Sequence, residues 1–283
     1  MLRWIALAAA LLTACRAGSP APVAAPSPTN TVPVIPPATS AARPSPTVAA
    51  AAASSFDYDG RWRTIAPGLE LLAVTGRAGQ RQELLLVLRV DPAQRSLRVR
   101  YAPDAPRSVR EWLDDSGAVA AVNAAYFLEN RRTAALLIAD GVVHGRTYSG
   151  FGGMFALRDG VASLHWLRRT PYTPDASIRQ AVQSVPMLVE DGAVVPGIPD
   201  NGERNRRTFV ALDRRGMVLL GVSQTAAWTL TDLAAYLAAE PLLDARAALN
   251  LDGGASSGLW LRADAAALLT NSLDRVPSVI TVE

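Results

Sequence analysis

The chain has 283 residues, a formal net charge of +3, 49% hydrophobic residues and 19% charged ones. That is the composition of a soluble protein with a real core, and the small charge with no basic stripe excludes a nucleic-acid partner. All 28 cationic residues are Arg, which favours bidentate contact with carboxylate or phosphate. Two histidines, His144 and His165, and one cysteine leave few candidates for a zinc cage or a His-based triad.

The N-terminus reads as targeting rather than fold. In "MLRWIALAAALLTAC" a positive Arg3 precedes an apolar stretch too short for a transmembrane span. It closes on Leu12-Thr13-Ala14-Cys15, which resembles the bacterial lipobox. Residues 1–15 are therefore expected to be a lipoprotein signal peptide. Lipidation at Cys15 would hold the exported chain on the outer face of a bacterial membrane, in the cell envelope. The plainer alternative is a secretory signal whose Cys is accidental. With no second Cys, the mature protein cannot form an internal disulfide.

Residues 16–55 are Ala, Pro, Ser, Thr and Val with few other residues, and they hold nine of the 20 prolines. Such a segment buries too little apolar surface to offset its ordering entropy, so a disordered, semi-extended stalk is expected. Residues 56–283 then form a single globular domain.

Strand-like runs open the domain: "LELLAVTG", "ELLLVLRVD" and "SLRVRYA". "SVREWLDDSG" predicts a helix with Ser108 as cap, Glu111 completing a capping box and Gly117 as stop. "AVAAVNAAYF" follows as a buried strand. Asp140-Gly141, Asp159-Gly160 and Asp191-Gly192 each stand between apolar runs, as type I′ hairpin turns require. "RRTFVALDRRGMVLLGVS" is a further hairpin. "TLTDLAAYLAAE" predicts a second helix capped by Thr229, and "RAALNLD" a strand after it. Many strands and few helices without β-α alternation give an α+β class with mixed β-sheets and many hairpins.

The segment "ALNLDGGASSGLWL" breaks the hairpin pattern. After Asp252 come six small residues before the chain turns apolar again. Glycines there allow close approach of a ligand to the backbone, and successive free N–H groups can form an anion-binding nest. A carboxylate at such a strand end suits polar ligand chemistry, against the plain reading of a long turn. Asn123 ends an apolar strand and can bind a sugar hydroxyl or turn the backbone, and Tyr126 or Phe127 can face a pyranose ring. Arg207-Thr208 begins a strand, where an Arg fork with a hydroxyl makes a phosphate clamp. Gln183 and Ser184 stand just before another strand.

Taken in order, "AVNAAYF", "QSVPMLVEDG", "RRTFVALD", "TLTDLAAYL" and "ALNLDGGASSGLWL" resemble the phosphodiester glycosidase family, over roughly Val119 to Leu261. The resemblance implies hydrolysis of a sugar-1-phosphodiester in a cell-envelope or extracellular glycan such as an exopolysaccharide. Water would attack the anomeric carbon and a phosphomonoester would leave. It marks Asp252 and Arg207 as catalytic, and Asn123, Gln183, Thr208, Gly253, Gly254 and Ser256 as substrate-binding. Glu203 and Glu129 stand as candidates for a second carboxylate. Ala124-Ala125 stand where the family usually has Gly-Gly or Ala-Gly, and Ala255 where it usually has a third Gly; the added methyls would narrow or alter the substrate site. No cofactor is expected, and no ligand cluster supports a divalent ion at Asp252. The competing readings are a non-catalytic glycan-binding envelope lipoprotein, a structural envelope protein, and a serine hydrolase using Ser256. "GGASSG" lacks the Gly-x-Ser-x-Gly elbow that the last would need.

Overall fold

The computed structural model describes residues 58–150, 152–262 and 270–283. The signal peptide, Cys15, the stalk and the domain start at Phe56 lie outside the described residues. Chain order begins β1 (Asp59–Ala66), β2 (Leu69–Ala78), β3 (Arg81–Val90), β4 (Leu97–Tyr101), α1 (Val109–Ser116) and β5 (Ala120–Asn123). Hairpins follow: β6 (Leu137–Ala139) with β7 (Val142–His144), then β8 (Gly153–Arg158) with β9 (Val161–Trp166). Next come β10 (Ile178–Ser184), β11 (Met187–Glu190), β12 (Ala193–Val194), β13 (Thr208–Asp213) and β14 (Val218–Ser223). The chain closes with α2 (Leu230–Ala239), β15 (Ala245–Asn250), β16 (Leu259–Leu261) and β17 (Ser278–Val282).

These strands make three sheets, in the orders β1-β2-β3-β14-β13-β15-β11-β12, β7-β6-β10-β8-β9 and β16-β5-β17-β4. The class is α+β. The eight-stranded sheet is covered on both faces, which explains why its inner strands read as continuous apolar runs. Leu86, Leu88, Val210, Leu212, Val218 and Leu220 join the core shared with Val122, Leu137, Phe155 and Ile280 of the other two sheets. Leu85, Val87, Phe209, Ala211 and Leu219 face the opposite way, against Trp228 and against Leu233 and Leu237 of α2. Gly221 has no side chain because Phe209 crosses it: a Cβ there would lie 2.1 Å from the ring.

Local chemistry fixes the elements as expected. Ser108 and Thr229 each close a capping box, with Glu111 and with Asp232, and Gly117 ends α1 at φ 70°. At the three Asp-Gly hairpins both residues have positive φ, for example Asp191 at 52° and Gly192 at 79°, as a type I′ turn demands.

Candidate active site

Three sheets bring strand termini to one place. β5 ends at Asn123, β10 at Ser184 and β15 at Asn250, while β13 begins at Thr208. Loops leaving those ends carry Tyr126, Val185, Asp252 and Arg207.

Asn123 is the joint between sheets. Its buried amide donates to Asp252 O (2.6 Å), and its Oδ1 accepts from Thr208 Oγ1 (2.8 Å) and Gly258 N (3.0 Å). The single Thr208 proton goes to Asn123, so in the contact with Ser257 Oγ (3.0 Å) Thr208 Oγ1 accepts and Ser257 donates. The backbone reinforces the crossing, because Asp252 N donates to Ala124 O (3.1 Å) and Leu251 N to Thr208 O (2.8 Å). Asn123 and Thr208, expected to meet substrate, are thus engaged with protein partners that fix where Asp252 stands.

Asp252 accepts from its own turn, from the Ser256 hydroxyl and the Gly253 N–H. Burial outweighs both bonds and pushes its carboxyl up from 3.8 to about 7. A group balanced there exchanges a proton readily at neutral pH. No cation neutralises it among the described residues.

Arg207 is the complementary group. Its backbone N donates to Ser223 Oγ (2.7 Å), and its Nη2 to the backbone carbonyl of Glu203 (2.7 Å). The buried Nε has no partner, and no ion pair joins the guanidinium to a carboxylate among the described residues. Burial lowers its pKa, while Tyr126, Asp200 and Glu203 act the other way. A buried cation with an idle donor is a ready anion site.

Tyr126 feels both charges. Burial raises its phenol pKa first, Asp252 raises it further, and Asn250 and Arg207 pull it back. The sequence singles out its ring but not its hydroxyl, which Asn250 Nδ2 holds at 2.8 Å. Asn250, Ser257 and Arg206 also escape sequence reasoning. Arg206 bonds the carbonyls of Ser257 and Asn271 and so pins the glycine-rich turn.

That turn corrects one expectation. Gly254–Ser256 is a 3-10 turn, not a row of free N–H groups. Gly254 N donates to Arg206 O, Ser256 N to Gly253 O, Ser257 N to Gly254 O, and Gly258 N to Asn123. The close approach that requires glycine is to the protein itself: a Cβ on Gly253 would lie 2.9 Å from Arg206 O, and Gly254 has φ 62°. The expected narrowing by added methyls is also corrected at Ala124 and Ala125, which pack into the main core, while Ala255 is exposed.

Gln183 is buried at the end of β10 and grips Tyr148 through both backbone groups, at 3.2 and 2.9 Å. His144 lies against Tyr101 in the five-stranded sheet and His165 lies on β9. Glu129 and Glu203 are exposed. Among the described residues, no group of three or more His, Cys, Asp or Glu is placed to hold a metal ion.

A family model described as phosphodiester glycosidase matches residues 116–283. That is more than half of the chain, and the protein belongs to the phosphodiester glycosidase family. Its fold is similar to the catalytic domain of zebrafish N-acetylglucosamine-1-phosphodiester alpha-N-acetylglucosaminidase, a structure auto-inhibited by its pro-peptide. There the identity is 17% and the TM-score 0.62, over 78% of this chain and 85% of that one. A hypothetical protein from Synechocystis is also similar, with 16% identity and a TM-score of 0.57 over 76% of this chain and 62% of that one. Likeness at these identities is likeness of fold. No curated protein sequence matches the chain.

Proposed function

We propose that the protein is an exported, lipid-anchored hydrolase that cleaves a sugar-1-phosphodiester of a cell-envelope or extracellular glycan. Family membership gives the reaction class. The observation that supports the site assignment is a buried Arg207 guanidinium with an unpaired Nε, sharing Tyr126 as neighbour with the proton-exchanging Asp252. Arg207 holds the phosphate. Ionised Asp252 takes the proton of the water that attacks the anomeric carbon, the bond from that carbon to the phosphate oxygen breaks, and the phosphomonoester leaves with the bonding pair. A phosphate leaves more readily than a sugar alcohol, so one acid-base carboxylate is enough.

Turnover of sugar-1-phosphodiesters with different leaving groups by the purified protein tests the activity. Arg207→Lys keeps the charge but loses the planar fork. It should lower kcat/KM for phosphodiesters by about 10- to 100-fold, the scale of one or two charge-assisted hydrogen bonds. Neutral aryl glycosides should be affected much less. An equal loss on both substrate types would remove Arg207 from the phosphate.

The anchor is read from Leu12-Thr13-Ala14-Cys15. Cys15→Ser should move the protein from the membrane fraction to the soluble exported fraction. Unchanged membrane association on fractionation would count against lipidation.

A further inference from the structure

Tyr126 carries a hydroxyl whose hydrogen-bond roles are settled by a neighbour. Asn250 is fully buried, and its Nδ2 donates both to Val185 O and to Tyr126 Oη, each at 2.8 Å. A backbone carbonyl can only accept, so Val185 fixes which end of the amide is nitrogen. That same nitrogen must then donate to the phenol. The Tyr126 oxygen is thereby an acceptor towards Asn250, and its own proton is left for another group.

The place of that proton follows from the chain crossing. Asp252 N bonds Ala124 O, so two residues before Asp252 and two residues after Ala124 the chains meet again as Asn250 and Tyr126. Tyr126 therefore stands beside the Asp252 turn and also within the electrostatic reach of Arg207. Tyr126 as a residue is only partly buried.

We propose that Tyr126 is a further substrate-contacting residue, donating its O–H to a phosphoryl oxygen of the ligand that Arg207 holds. Asn250 is its positioning residue. Two donors of different kind then share one phosphate: Arg207 supplies charge, and Tyr126 supplies a neutral donor that keeps its proton across the neutral range. This inference deepens the sugar-1-phosphodiester reading and rests on it.

The test replaces the tyrosines of the full-length protein with 3-fluorotyrosine and follows the 19F signal that disappears in Tyr126→Phe. There are six tyrosines, so assignment by one variant is practical. Glucose 1-phosphate and inorganic phosphate should both shift that signal, and glucose should not. In unlabelled protein, Tyr126→Phe should weaken glucose 1-phosphate binding about 10-fold, as expected for one donor to a charged acceptor. Its effect on neutral aryl glycosides should be small, and its unfolding midpoint should fall only modestly, since the buried Asn250 Nδ2 loses the Tyr126 oxygen but keeps Val185 O. Turnover of phosphodiesters with a silent Tyr126 signal and unchanged affinity in Tyr126→Phe would overturn the proposal and leave the proposed function standing. A signal that responds to phosphate without any turnover would do the reverse. Silence in both would overturn both.

Discussion

Asp252→Asn should lower turnover of a sugar-1-phosphodiester by at least about two orders of magnitude, the scale of a positioned acid-base group. The substitution keeps the shape, and the single amide oxygen of Asn can still accept from the turn that now holds the carboxylate through Ser256 and Gly253. It cannot take a proton from water. Because the carboxyl sits at about 7 in the folded protein, kcat/KM of the wild type should rise with pH through that value. In the proposed mechanism the ionised form is the active one, so the acid limb would belong to Asp252 and should vanish in Asp252→Asn. Stability runs the opposite way. A carboxyl whose folded value lies above its unfolded one favours the folded state most when protonated. That contribution is complete below about pH 4 and is lost as pH rises through about 7. Asp191→Asn is the control, since Asp191 has φ 52° in a hairpin turn where Asn fits equally well. Equal activity losses in the two variants would sink the role of Asp252.

Glu83→Leu should destabilise the fold by roughly 3–5 kcal/mol, read from the urea midpoint. Glu83 is fully buried on β3. One oxygen accepts from Leu84 N (3.0 Å) and from the backbone (2.8 Å) and hydroxyl (2.5 Å) of Thr225. The other accepts from Ala227 N (2.9 Å). Leucine fills the volume but leaves three backbone donors without an acceptor, each costing about 1–3 kcal/mol before relaxation. The damage should reach the site. Thr225 O takes the Ser223 hydroxyl (3.1 Å), which in turn takes the Arg207 N–H (2.7 Å). A midpoint within about 0.5 kcal/mol of wild type would show that loop 224–228 is held by something else.

Glu83 also shows what the sequence conceals. "RQELLLVLRV" looks like a strand with a solvated acidic start, because nothing local says that three donors from residues 225 and 227 converge on that carboxylate. Signals that act within a few residues are legible. The Asp-Gly turns, the Ser108–Glu111 capping box, the Thr229 cap and the αL glycine after α1 follow from local preferences alone. Asp252 and Arg207 stand out as candidates because each interrupts an apolar pattern with an ionisable group at a strand end. Tyr126 is legible only as a ring, since the role of its hydroxyl depends on Asn250, 124 residues away. The apparent nest fails for a related reason: glycine permits close approach, but the sequence does not say to what, and Arg206 O occupies that space. β17 goes unread because "SVITV" is a short run near the terminus. Yet it lies between β5 and β4 and pairs with both.

The six-pair ladder between β3 and β14, from Val218 opposite Val90 to Ser223 opposite Leu85, ties the chain before residue 116 to the family segment after it. Evolutionary kinship and mechanical wholeness therefore have different borders in this protein. A fragment cut at the start of the family segment would strip β14 of its neighbour and leave "VLLGVS" as a bare, apolar sheet edge. Such an edge recruits other chains before it finds a ligand. The opening three strands, which carry no family motif, supply the partner that pairs this edge within the chain.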